Sequence, residues 1–157
     1  MPTEVFRICW NGALSLPDLP YGSTLADGRW HRHGAPPFGH RVVYAGGTRA
    51  ITQLEKRVHC NGVQPADQAL IRLRLPVHAQ LDDAVDLGLR SDWASDMVYS
   101  QRFGLDWLKR RGALGLWVPS FIEPRERNVV LNPEHPDWHG VEVHVEDADF
   151  HFDARLF

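Results

Sequence analysis

Only two stretches of this chain carry helical periodicity, and every other apolar run is short enough to be a strand. The first helical stretch is "TRAITQLEKRVHC", residues 48–60. Thr48 suits the N-cap, Ala50, Ile51, Leu54 and Val58 fall on one face, and Asn61-Gly62 supplies the stop. The second is "DMVYSQRFGLDWLKRR", 96–111, with Met97, Phe103, Trp107 and Leu108 as core candidates. Gly112 ends it after a basic last turn that suits the helix dipole. The short runs predict strands at 5–10, 41–45, 69–76, 113–120, 128–132, 140–145 and 150–153. In 69–76, Ile71, Leu73 and Leu75 alternate with Arg72 and Arg74, the pattern of a half-buried strand. Residues 11–27 and 77–94 read as connections. Two helices among many short strands predict an α+β fold, and no composition shift divides residues 1–157 into more than one domain.

A formal net charge of −3, with no basic block or stripe, argues against direct nucleic-acid binding. Cys9 and Cys60 make neither a disulfide framework nor a Cys-x-x-Cys pair, so they read as free thiols of a reducing compartment. "MPTEVFRICW" lacks the charged and apolar regions of a signal peptide, and no apolar run is long enough for a membrane span. The expectation is a cytoplasmic protein without membrane contact.

The chemistry-bearing residues sit in the connections and at strand ends. "GRWHRHG", 28–34, packs Arg29, Trp30, His31, Arg32 and His33 between glycines. As a metal site it is poor, because His31 and His33 lack further closely spaced ligands. His135 and His139 are four apart, but Pro136 between them opposes a regular helix. No metal is expected, and His31 and His33 read as rim residues. Arg29 reads as an anion grip beside a permissive glycine, or as an exposed loop arginine. Arg7 lies in an apolar strand and needs a partner or a cleft, unless it faces water from a sheet edge. In "YAGGTRAITQLE", Tyr44 ends a strand and Glu55 lies beside the apolar face of the first helix. A carboxylate there serves as acid, base or cation stabiliser, or simply pairs with a neighbouring lysine or arginine. Ser120, without a Gly-x-Ser-x-Gly setting, is no elbow nucleophile but can hydrogen-bond a ligand. Asn132-Pro133 reads as a turn.

The order of these pieces is more specific than any one of them. "FRI", "GRWHRHG", "RVVYAGG", "AITQLEKRVH", "WVPS", "NVVLNPEHPDW" and "FHFDARLF", from Phe6 to Phe157, resemble the RES domain family. That resemblance implies a bacterial toxin of a toxin–antitoxin pair, made with an Xre-like DNA-binding antitoxin that blocks its active site. It implies a fold similar to the ADP-ribosyltransferase toxins, with short split β-sheets and a few helices around a central cleft. It also implies NAD as substrate, either degraded or used as a donor of ADP-ribose. Carried over by position, the family arginine is Arg29, the tyrosine Tyr44, the helix glutamate Glu55 and the serine Ser120. Arg7 matches the arginine of the opening strand and Asn132 the asparagine before proline. The chain departs from many relatives in Asp27-Gly28 where they carry two glycines, in His31 where they carry Asn, and in the basic run "EKRVH".

Cleaving the nicotinamide–ribose bond leaves an oxocarbenium-like sugar, as in glycoside hydrolysis. The implied roles follow. Glu55 stabilises the cation, Arg29 and Arg7 hold the diphosphate, and Tyr44 stacks on or flanks the nicotinamide. Ser120 and Asn132 hydrogen-bond ribose or carboxamide, and Trp30 packs beneath the arginine loop or touches ligand. The rival expectation is a non-catalytic, partner-binding module of the same fold.

Overall fold

The strand-forming runs join into one seven-stranded sheet, which a computed structural model describes over residues 1–157. In chain order the strands are β1 (Glu4–Trp10), β2 (Val43–Gly46), β3 (Gln68–Arg74), β4 (Leu81–Asp83), β5 (Gly115–Pro119), β6 (Arg127–Leu131) and β7 (Glu142–Phe150). The helices are α1 (Arg49–Val58) and α2 (Met97–Arg110), with short 3-10 segments at 16–24, 93–95, 136–140 and 154–156. The sheet order is β4-β5-β6-β2-β1-β3-β7. All neighbours are antiparallel except β4 and β5. This is the expected α+β architecture. No helix is long and apolar enough to cross a membrane.

The sheet is nearly divided at its centre. β1 pairs with β3 along its whole length, from Glu4↔Arg74 to Trp10↔Gln68. β2 pairs just as fully with β6. Between β1 and β2 the only partners are Phe6 and Gly46. A continued ladder would set Ile8 opposite Tyr44; instead the strands part, and the Arg7 guanidinium donates to the Tyr44 carbonyl at 2.8 Å. That bond satisfies a backbone acceptor which strand pairing leaves open.

Packing follows the same division. One face of the sheet carries a continuous core of Val5, Val43, Ile71, Leu73, Val129 and Leu131, closed by Leu19 and Trp138. The other face carries two separate cores. Trp30, Trp93, Trp107, Leu108, Leu116, Val118 and Val130 pack under α2. Phe6, Ile8, Leu70, Phe150 and Phe152 form the second, with Cys60 just beyond the end of α1 against it. A cleft opens between them, over the parted strands.

Several local expectations change. β7 runs without interruption from Glu142 to Phe150, longer than the strand expected at 140–145 and bent by two register shifts against β3, while the strand expected at 150–153 does not continue past Phe150. The connection 77–94 contains β4, and 11–27 contains a 3-10 segment. Thr48 caps α1 as expected, its hydroxyl accepting the Ile51 N–H at 3.2 Å. Asn61 and Gly62 follow that helix with φ of 51° and 78°. α2 ends on Arg111, which itself takes the left-handed conformation at φ 52° in place of Gly112. Its Trp107 and Leu108 are buried, whereas Met97 is exposed and turned to the cleft mouth. The α1 face is also rotated: Ile51 and Thr52 are buried, while Leu54 and Val58 are 39% and 50% exposed. The Thr52 hydroxyl donates to the Phe6 carbonyl at 3.2 Å, and Glu55, one turn on, lines the cleft on the same side.

Candidate active site

The cleft has a volume of about 460 Å³, within the range of small-molecule sites. Its floor comes from β1 and β2, one wall from α1, and the other from the loop 27–30 with the segment after β5. Arg7, Arg29, Trp30, Tyr44 and Glu55 all line it. Five of the seven residues singled out in the sequence therefore meet in one place.

Glu55 is held at one oxygen. Its Oε1 accepts the Ser120 hydroxyl at 2.6 Å and the Asn128 side-chain amide at 2.7 Å. No protein donor reaches Oε2, so the carboxylate is oriented without being neutralised. No arginine or lysine pairs with it. Ser120 is fully buried and does not line the cleft. Its hydroxyl donates to Glu55 and accepts the Ile122 and Glu123 N–H groups at 3.1 and 3.2 Å. Its hydrogen-bonding capacity is spent on Glu55 and on its own turn.

Arg29 and Arg7 both lack a carboxylate partner. Arg29 donates to the Ala94 carbonyl at 3.3 Å and lies 4.1 Å over the Phe121 ring. Its other N–H groups remain available at the cleft wall. Arg7 is deeper. Its Nε has no partner, and burial lowers its pKa. Lys56, one residue past Glu55, also lines the cleft, and its pKa is lowered by burial and by Arg7. Three cations facing one cavity, against Asp27 and Glu55, favour an anionic ligand.

Tyr44, near the start of β2 rather than at a strand's end, reaches toward the loop 28–34. The Trp30 backbone N–H donates to its hydroxyl at 3.2 Å, and His31 Nδ1 lies 2.7 Å from it. Burial raises the phenol pKa well above its usual value, so this tyrosine stays protonated. Trp30 is itself buried, its ring 5.2 Å from that of Trp93. Its side chain is chiefly packing, and its backbone serves Tyr44. Gly28 leaves the room this needs. A Cβ there would collide with the Tyr44 hydroxyl and come within 2.8 Å of His31 Nδ1.

Two expectations are corrected by position. Asn132 is not in the cleft: it is buried past the far end of β6, where its Oδ1 accepts the Glu134 N–H at 3.0 Å. Asn128, at the near end of the same strand and opposite Gly46, takes the place at the site. The two are about 13 Å apart along an extended chain. Both asparagines have the same parity in "NVVLN"; only the pairing with β2 distinguishes them. His31 is not a rim residue, being 3% exposed, whereas His33 is exposed and pairs with Asp27 at 2.5 Å. Lys56 and Phe121 carried no separate sequence signal beyond the basic run after Glu55. No group of three or more His, Cys, Asp or Glu side chains converges as a metal site would require.

Comparison with known proteins shows the family. The family model described as RES domain matches residues 4–153. The chain is 34% identical over 138 residues to "Toxin Res" of Photorhabdus laumondii, covering 86% of this chain and 85% of that one. It is 34% identical over 143 residues to "Toxin Res" of Pseudomonas putida, covering 87% and 90%. It is also 33% identical over 127 residues to the "Prs ADP-ribosylating toxin" of a Sphingobium species, covering 78% and 76%.

Proposed function

This chain belongs to the RES domain family and is a homologue of RES toxins, and from that premise we propose that it is an NAD-consuming toxin. The observation that carries the proposal is Glu55, a carboxylate fixed at Oε1 and open at Oε2 in a cleft lined by unpaired cations. In the reaction the bond between ribose C1′ and the nicotinamide nitrogen breaks. Its electron pair leaves with the ring, which departs as neutral nicotinamide. Positive charge develops on the sugar, and Glu55 Oε2 stabilises it. Arg29, with Arg7 at the floor, holds the diphosphate. Tyr44 presents its ring as a wall for the nicotinamide, since its hydroxyl is already bonded. Water or a protein side chain then bonds to C1′ and gives up a proton, or phosphate bonds through an anionic oxygen, so the same first step serves NAD degradation and ADP-ribose transfer. Ser120 and Asn128 orient Glu55 rather than touching ligand. We assign no contact with NAD to Asn132. The partner implied by the family resemblance is an Xre-like antitoxin that covers the cleft.

The test is nicotinamide release from NAD by purified protein. Glu55→Gln preserves the shape and both hydrogen-bond partners but removes the charge. Release is expected to fall by about 100-fold or more. Equal release by the variant refutes the role of Glu55. No release by the unaltered chain, with intact NAD after induction in cells, would favour the non-catalytic, partner-binding reading.

A further inference from the structure

His31 is buried, lies outside the set of residues that face ligand, and makes two short contacts. Its Nε2 is 2.9 Å from the Ser23 carbonyl oxygen and its Nδ1 is 2.7 Å from the Tyr44 hydroxyl. A carbonyl oxygen can only accept, so Nε2 must carry the proton. In the neutral ring Nδ1 is then bare and can only accept. The Tyr44 hydroxyl therefore donates to His31 Nδ1 and accepts the Trp30 N–H. Burial lowers the His31 pKa, which keeps the ring neutral at neutral pH.

The anchor beyond His31 is equally defined. The Ser23 hydroxyl donates to the Pro20 carbonyl at 2.7 Å and accepts the Val42 N–H at 3.0 Å, and Val42 directly precedes β2. A chain of bonds thus runs from the strand that carries Tyr44, through Ser23 and His31, back to the Tyr44 hydroxyl. Gly28 leaves space at that junction.

We propose that His31 is a positioning residue: its Nε2–H tautomer holds the Tyr44 hydroxyl and thereby fixes the phenol ring as a wall of the cleft. It acts through Tyr44 and touches no substrate. The inference rests on the proposed NAD reaction for its catalytic consequence, though not for the hydrogen bond itself.

Two side chains separate the two bonds. The Oδ1 of Asn can occupy the place of His Nδ1, and the amide end of Gln the place of Nε2. His31→Asn therefore keeps an acceptor for Tyr44 and loses the Ser23 link. His31→Gln keeps the Ser23 link and loses Tyr44. We expect His31→Gln to lower kcat for nicotinamide release by roughly ten- to a hundred-fold while the thermal midpoint moves little. His31→Asn should recover most of that loss. In a Tyr44→Phe background, which keeps the ring but removes the hydroxyl, His31→Gln should cost nothing further. Equal costs of His31→Gln in both backgrounds, or of His31→Gln and His31→Asn in the native background, overturn the proposal. Nitrogen-15 NMR of the unaltered protein decides the tautomer without any activity. Nε2-protonated His31 at neutral pH is expected, and a protonated Nδ1 refutes the proposal. If the unaltered chain releases no nicotinamide, the NAD reading fails while the NMR arm still decides the hydrogen bond.

Discussion

At the scale of single residues, the arginines that line the cleft lack carboxylate partners. Most arginines here are paired: Arg49 with Glu146 at 2.7 Å, Arg90 with Asp92 at 2.9 Å, Arg125 with Glu123 at 2.7 Å. These are mostly exposed pairs, worth little to stability. Arg29 differs because its guanidinium is held by a carbonyl and an aromatic face, neither of which neutralises it. Orienting a cation without quenching it preserves its affinity for phosphate. Replacing Arg29 by Ala is accordingly expected to raise the KM for NAD about tenfold or more with a smaller change in kcat, as read from initial rates of nicotinamide release. An unchanged KM removes Arg29 from the diphosphate role. Arg7 could be picked out in the sequence because it sits in an apolar strand, and Arg29 because it lies beside a glycine in a motif that matches the family. Asn128 could not, because its role depends on which end of β6 meets Gly46.

At the scale of elements, two close approaches build the walls. Gly46 lies beneath α1, where a Cβ would press on the Thr52 hydroxyl and backbone. Gly104 does the same for α2: a Cβ there would run into the Trp30 carbonyl. α2 thus rests directly on the loop that carries Arg29. The Ser100 hydroxyl donates to the Arg29 carbonyl at 2.7 Å, and the Gln101 amide to that of Gly28 at 3.0 Å. Gly104→Ala is expected to destabilise the fold by about 1–3 kcal/mol, measured by urea unfolding, because backbone rather than a flexible side chain must yield. A loss below a few tenths of a kcal/mol would show that α2 can shift freely. The existence of both helices and the α1 cap were legible from periodicity and Thr48. Their facing was not. Leu54 and Val58 looked like core, yet Thr52 and Glu55 turn inward because the helix sits over an open cleft rather than a closed apolar layer.

At the scale of the whole molecule, acid should weaken the fold in two steps. His31 and His40 both have folded-state pKa values lowered chiefly by burial. As pH falls below their unfolded values, the unfolded chain takes up protons that the folded chain resists, and stability declines. The second step is lower, where Asp27, Asp96, Glu146 and Asp153 are held below their ordinary values by hydrogen bonds and Glu123 is held at about 2. Protonating them removes those interactions as pH falls through their folded values. The thermal midpoint is expected to fall from pH 7 to pH 5, and His31→Asn should flatten that part of the curve; no flattening would mean that His31 does not contribute. What the sequence determined by itself is the two helices and most of the strands, the α+β class, the family resemblance, and through it Arg7, Arg29, Tyr44 and Glu55 as the residues of interest. These follow from local periodicity, cap chemistry and the order of short motifs, all carried by near neighbours in the chain. What the tertiary structure alone decided is the parting of β1 from β2, the replacement of Asn132 by Asn128, the turning of Ser120 toward Glu55, and the burial of His31 against Tyr44. Each depends on register between strands far apart in sequence, and register is set by packing across the whole sheet rather than by any one segment.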